Sequence, residues 1–222
     1  MEKRIVFYDF ESKLNHEQIV NRFLEHRFTH DANSGFSLNK RNDNGIYFRH
    51  IKKNINIDKV VTPFGDEYEN TTIDYAINEA KIKDNTLYIT NPTRSLIPFR
   101  TDLLKALGFQ CIIANKIINL KNVISLLCKQ EYDVNLTDIE LTTNELFKDS
   151  RVKMVVSSNS DLISKMKNYL GDIDSNLTKI GFNMKILNEE YFVEIGCKGS
   201  VKIKGRLVED FAENYIIRNF LS

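Results

Sequence analysis

Apolar residues in this chain come in short runs, many alternating with polar neighbours, separated by clusters of Asn, Asp, Lys and Gly. That is the pattern of hairpins rather than of long helices. Residues 4–10, 35–38, 46–51 and 55–61 form such runs, and Lys40-Arg41-Asn42-Asp43-Asn44-Gly45 is one of the polar breaks between them. Ile73, Tyr75 and Ile77 alternate with small or polar neighbours, which predicts a strand with one face buried. Lys83-Asp84-Asn85 then turns the chain into Leu87-Tyr88-Ile89, a predicted hairpin. Further strands are expected at 109–114, 136–141, 152–156, 182–187, 191–195 and 200–204.

Helical spacing appears between these blocks. Asn15 is placed to cap a helix carrying Ile19, Val20, Phe23 and Leu24. Pro98 suits a first turn, Phe99, Leu103, Ala106 and Leu107 share a face, and Gly108 is placed to end that helix. Asn119 precedes Leu120, Val123, Ile124 and Leu127. A fourth helix is expected from Ser160 to Gly171, with Leu162, Ile163, Met166, Tyr169 and Leu170, and a last one with Val208, Phe211, Tyr215 and Phe220. The expected fold is α+β, with mainly antiparallel sheets, hairpins, four to five helices and two similar ββα-containing units at 73–107 and 191–221. A composition shift at 130–135 suggests an N-terminal α+β domain over 1–130 and a C-terminal one over 131–222.

Composition bounds the function. Hydrophobic residues at 42% and charged residues at 27% are the balance of a globular chain that can bury a core. Thirty-one Lys and Arg against 30 Asp and Glu leave a net charge of +1, which excludes a bulk polyanion binder but not a local basic groove. Three cysteines, Cys111, Cys128 and Cys197, lie far apart with no C-x-x-C pair, so neither a metal cluster nor a disulfide framework is expected. Cys128 is expected to be buried as a small apolar residue. No run reaches the roughly 18 apolar residues of a membrane span, and the N-terminus is charged too soon for a signal peptide. The expectation is a cytoplasmic protein with no membrane association and no cofactor.

Four features could carry chemistry. The first is Ile5-Val6-Phe7-Tyr8-Asp9-Phe10-Glu11, an apolar strand ending in Asp-x-Glu. It resembles the first motif of the DnaQ-like 3′–5′ exonucleases, a resemblance that implies metal-ion ligands at Asp9 and Glu11. The family's later His-x-x-x-x-Asp is matched in spacing by His26 and Asp31, but these follow too soon for the intervening strands and helix of that fold. The second is Lys198, Ser200, Lys202, Lys204 and Arg206 at every second position, with Val201 and Ile203 between. On a strand this puts the cations on one face, able to track a phosphate backbone or meet an acidic protein, or simply to face water.

The third feature is Lys40, Arg41, Arg49, His50, Lys52 and Lys53 beside Tyr47 and Phe48, with the two aromatics on opposite faces of a strand. The fourth is Asn91-Pro92-Thr93-Arg94-Ser95 before a helix with Arg100 and Thr101, where Arg94 and helix amides could hold an anion or Thr93 and Ser95 could cap. His26 and His30 have i, i+4 spacing but no third metal ligand in view. No nucleophile–base motif is present. The sequence therefore favours a non-enzymatic interaction protein, an accessory subunit of a larger complex, with a protein partner and nucleic acid as a second contact. The alternative is a divalent-metal nuclease using Asp9 and Glu11.

Overall fold

The computed structural model describes residues 1–42, 45–129, 133–143, 150–159, 162, 176–186 and 188–206, with backbone only at 40–42 and 129. The expected helices over 160–171 and 208–220, and the side chains of Lys40 and Arg41, lie outside the described residues. Within them the chain is α+β and mostly strand: eleven strands hydrogen-bonded into one antiparallel sheet, and three helices. Two compact units are formed, one of Phe7–Ala114 and one of Met1–Val6 with Asn115–Ser222. Strand β1 (Glu2–Ser12) starts in the latter and ends in the former.

In the unit Phe7–Ala114, helix α1 (His16–Glu25) begins at a capping box. The Asn15 side chain accepts from the Gln18 amide and the Gln18 side chain accepts from the Asn15 amide, each at 2.9 Å. Ile19, Val20 and Phe23 are buried, but Leu24, expected in the core, faces water because it falls one residue beyond that stripe. Strands β2 (Ser34–Asn42), β3 (Gly45–Val61), β4 (Glu67–Lys83) and β5 (Thr86–Thr90) follow as a meander. Asp84 and Asn85 carry the β4–β5 turn at φ 48° and 58°, left-handed values that short polar side chains tolerate. Helix α2 (Ile97–Ala106) buries Phe99, Leu103 and Ala106, Leu107 is buried just after it, and Gly108 turns the chain away at φ 60°. Strand β6 (Cys111–Asn115) pairs with β1.

The core of this unit is aromatic. Phe23 lies 4.9 Å from Phe36 and 4.5 Å from Phe48, and Phe99 stacks on Phe48 at 6.3 Å. Two expectations are corrected here. Residues 46–51 and 55–61 are one strand, because Lys52, Lys53 and Asn54 pair residue for residue with Ala76, Tyr75 and Asp74 and nothing breaks the ladder. Ile73, Tyr75 and Ile77 do alternate, but their face is exposed, because none of the described elements covers that side of the hairpin.

The unit of Met1–Val6 and Asn115–Ser222 is built on helix α3 (Leu120–Lys129) and strands β7 (Asp133–Thr143), β8 (Val152–Ser157), β9 (Asn176–Ile186), β10 (Glu189–Gly196) and β11 (Ser200–Lys204), with the start of β1. The order β1-β11-β10-β9-β7-β8 places Ile5 opposite Val201 and Val201 opposite Ile195, so each strand gives alternate residues to one apolar face. Ile180, Phe182 and Met184 of β9 continue that face, and α3 supplies Leu120, Val123 and Leu127. The Asn119 side chain accepts from the Asn122 amide at 3.2 Å. Cys128 is exposed rather than buried: one residue past Leu127, it is rotated about 100° off the apolar stripe.

Two phenylalanines of opposite burial give a test of the core. Phe48→Ala should lower unfolding free energy by about 3–5 kcal/mol, whereas Phe64→Ala, at 93% exposure, should stay within about 0.5 kcal/mol. Equilibrium urea unfolding of both variants checks this.

Candidate interaction surfaces

The β3–β4 hairpin is the most unusual surface. Strand β2 pairs with β3 only as far as Lys52, and β5 pairs with β4 only from Glu79 onward. Beyond these limits the two strands continue from Asn54↔Asp74 to Val61↔Glu67 as a two-stranded arm, about 23 Å of ladder at ~3.3 Å per residue. One face carries Ile77, Tyr75, Ile55, Ile73, Ile57 and Val61, each between 46% and 60% exposed. The other carries Asn54, Asn56, Asp58, Asn70, Thr72 and Asp74, and ends on the pair Val60↔Tyr68. Phe28 meets Tyr75 edge-on at 6.1 Å at the arm's base. At the tip the Thr62 hydroxyl accepts from the amides of Phe64 and Asp66 at 3.3 and 3.0 Å. Phe64 is thus held out on an ordered turn.

Where the chain's phase changes is informative. Ile46, Phe48 and His50 are even-numbered and buried, while Ile55, Ile57 and Val61 are odd-numbered and exposed. Strand β4 switches at the same level, from buried Ile82, Ala80 and Asn78 to exposed Ile77, Tyr75 and Ile73. Because side chains alternate along an unbroken ladder, the arm's apolar residues lie on the face opposite the aromatic core. Residues 53–75 hold five carboxylates (Asp58, Asp66, Glu67, Glu69, Asp74) and two lysines (Lys53, Lys59), a balance that repels a polyanion.

The residues singled out by sequence fall as follows. Asp9 and Glu11 share an exposed face of β1, and among the described residues no group of three or more His, Cys, Asp or Glu could hold a metal ion. His26 ends α1 and His30 lies beyond it, beside Asp31, so the two histidines do not form a helical pair. Lys202 and Lys204 both reach Glu2 at 3.6 Å, and Arg206 reaches Glu189 at 3.7 Å. A burial cost that raises the Glu2 carboxyl is outweighed by the Arg4 hydrogen bond and the charges of Lys202, Arg4 and Lys204, which lower it overall. The stripe is therefore interleaved with carboxylates from neighbouring strands, which a single strand's sequence could not reveal. Arg49 pairs with Glu79 at 3.2 Å, and Lys52 and Lys53 are half-buried at the base of the arm. Tyr47 faces outward under Lys81, 4.7 Å from the ring, while Phe48 is buried.

Ahead of α2, the Thr93 hydroxyl and amide donate to the buried Asn78 side chain at 3.0 and 2.9 Å. No side chain caps α2, whose N-cap is Leu96. Arg94 is exposed beside this turn, and Arg100 lies over the Tyr8 ring at 5.4 Å.

Lys198 sits in the β10–β11 turn and shares a cleft with Arg151 and Lys153 at the start of β8 and Lys179 of β9, cations that sequence spacing does not connect to it because they come from other strands.

In the sequence His50 is only one member of a basic segment, yet it is 1% exposed. Its Nε2 lies 2.9 Å from Asp102 Oδ2, and its ring is flanked by Phe36 and Phe99, each at 5.4 Å. Because a carboxylate only accepts, Nε2 carries the proton in the neutral ring and donates it to Asp102, leaving Nδ1 buried with no partner among the described residues. Sealed between rings, His50 cannot touch a substrate; it ties β3 to α2. Burial pushes its pKa below the ordinary 6.5, against the opposing pull of Asp102. The chain matches no protein-family model and no curated protein sequence. Among the described residues no helix is long and apolar enough to cross a membrane.

The lowered His50 pKa predicts acid lability of defined sign. The unfolded chain binds the proton near pH 6.5 while the folded one resists it, so this stability is complete above that pH and is lost as pH falls toward the native value. Thermal melts at pH 7.5 and 5.5 should show a smaller acid-induced drop in His50→Phe than in the wild type. An equal drop in both would refute the assignment.

Proposed function

We propose that the chain is a non-enzymatic interaction protein, suited to an accessory role in a larger assembly, with the β3–β4 arm as its docking element. The observation that carries this reading is the coincident phase switch of the two strands. A two-stranded ribbon is at best marginally stable in water, and this one with its base presents six half-exposed apolar side chains on one face. Contiguous apolar surface of this kind, rimmed by charge, is characteristic of a contact site.

The occupant is a second copy of the chain. The exposed face of β3–β4 reads, pair by pair from the base, Arg49–Glu79, Ile51–Ile77, Lys53–Tyr75, Ile55–Ile73, Ile57–Thr71, Lys59–Glu69 and Val61–Glu67. A two-fold axis along the arm lays each residue over the copy of its own cross-strand partner. Arg49 and Lys59 then face Glu79 and Glu69, Lys53 faces a tyrosine ring, and isoleucine faces isoleucine. At on the order of 100 Å² for each half-exposed apolar side chain, two copies bury roughly 1,200 Å², the lower end of a specific interface. The arm's excess of carboxylates supports a protein occupant over nucleic acid.

Sedimentation across a concentration series tests this. The wild type should dimerise with a Kd in the micromolar range, about what so small an interface supports, and Ile55→Glu with Ile73→Glu should be monomeric throughout. Lys59→Glu should weaken the dimer roughly five- to thirty-fold, since two symmetry-related pairs are lost at ~0.5–1 kcal/mol each. Adding Glu69→Lys should restore it. A wild-type monomer at all concentrations, or a swap that does not rescue, would overturn the pairing.

A further inference from the structure

The unit of Met1–Val6 and Asn115–Ser222 carries a cleft of about 430 Å³ that the arm does not involve, within the usual range for a small-molecule site. Its cations converge from three segments: Arg151 and Lys153 at the start of β8, Lys179 on β9 and Lys198 in the β10–β11 turn. Glu140 is the one carboxylate among the described lining residues. Its oxygens are engaged, one with the Lys153 ammonium at 3.0 Å and the other accepting from the Thr178 hydroxyl at 2.8 Å. Those two hydrogen bonds lower the Glu140 pKa, so it stays a fixed anion. Lys179 pairs with Glu194 at 3.4 Å.

Arg151 and Lys198 are exposed and make no ion pair among the described residues. The lining is completed by the Ser200 hydroxyl, which lies where Gly196 leaves room: a Cβ at Gly196 would fall 2.3 Å from Ser200 Oγ. With Lys153 and Lys179 each held by a carboxylate, the repulsion left in the concavity is between Arg151 and Lys198, and an anion held between them relieves it. Arg151 offers a planar fork suited to two oxygens of one phosphate, and Lys198 a mobile point charge.

We propose that this cleft binds the phosphate groups of a phosphorylated small molecule, gripped by Arg151 and Lys198 with Lys153 and Lys179 supplying background potential. Among the described residues no aromatic side chain lines the cleft, so the ligand is recognised through its phosphates rather than by stacking a base.

Isothermal titration at about 50 mM salt, where surface charges are least screened, with inorganic pyrophosphate and with ATP as probes, tests the site. Submillimolar binding of at least one probe is expected, weakened about tenfold or more in Arg151→Glu with Lys198→Glu, as loss of charge-assisted bonds requires. Arg151→Ala with Lys198→Ala, a milder change at the same exposed positions, should weaken it in the same direction. Ile55→Glu with Ile73→Glu should bind as the wild type does, which separates this site from the arm. No heat with either probe, or binding indifferent to both double variants, would sink the proposal. So would a single-stranded oligonucleotide that binds through the same two residues and is not displaced by pyrophosphate.

Discussion

The ladder between β3 and β4 is the constraint on which most else in the unit Phe7–Ala114 depends. It runs without a bulge from Ile46↔Ile82 to Val61↔Glu67. Once Phe48 is committed to the aromatic cluster, every residue farther along both strands has its side fixed, because a ladder of period two allows no local change of face. Burying Ile46, Phe48 and His50 therefore forces Ile55, Ile57 and Ile73 onto the opposite side. The same register sets Asn78 opposite His50, so two buried polar groups stand together and are served from outside the sheet, His50 by Asp102 of α2 and Asn78 by Thr93 ahead of it. Core, arm and the docking of α2 are consequences of one pairing.

Much of this was legible in the sequence, and the failures have physical causes. Turn chemistry gave the β4–β5 hairpin at Asp84-Asn85, and capping gave α1 and α3, because these are local events decided by a few adjacent residues. Phe99, Leu103, Ala106 and Leu107 were placed correctly because a helix facing a core keeps its period. The arm is not legible in the sequence, because apolar alternation there implies a buried face. Residues 46–51 and 55–61 looked like two strands for a related reason: the apolar phase shifts from even to odd between them, which in most chains marks a break. Here it marks the point where the strand leaves the core. Two unbroken strands shifting phase at paired positions is a signal a sequence does contain, but it is readable only after their register is known.

Charge was legible residue by residue and illegible in sum. Of the Lys198–Arg206 pattern, Lys202 and Lys204 share one face of β11, as the period of two implied, while Lys198 and Arg206 fall outside that strand. What that face amounts to depends on β1 and β10, whose Glu2 and Glu189 bridge Lys202, Lys204 and Arg206. Along one strand the face reads as a phosphate track; across three it is a mosaic. The opposite error applies to Lys198, which leaves the stripe for the turn and joins Arg151, Lys153 and Lys179. Sequence distance hides such a cluster because antiparallel pairing brings together residues tens of positions apart.

The two proposed surfaces differ in sign, and that difference assigns their ligands more firmly than either surface does alone. With five carboxylates against two lysines, the arm repels phosphates; its apolar stripe stabilises only a contact that excludes water, and its ion pairs set the register of a protein face. Among the described residues the cleft has no apolar row to bury, and Arg151 and Lys198 there make no ion pair, which suits it to the compact charge proposed for it. A net charge of +1 says nothing of this, since it is the cancellation of the two. Binding at the arm should therefore survive salt through its isoleucines, while binding at the cleft should fade with it, because screening removes most of what exposed charges contribute and little of what apolar burial does.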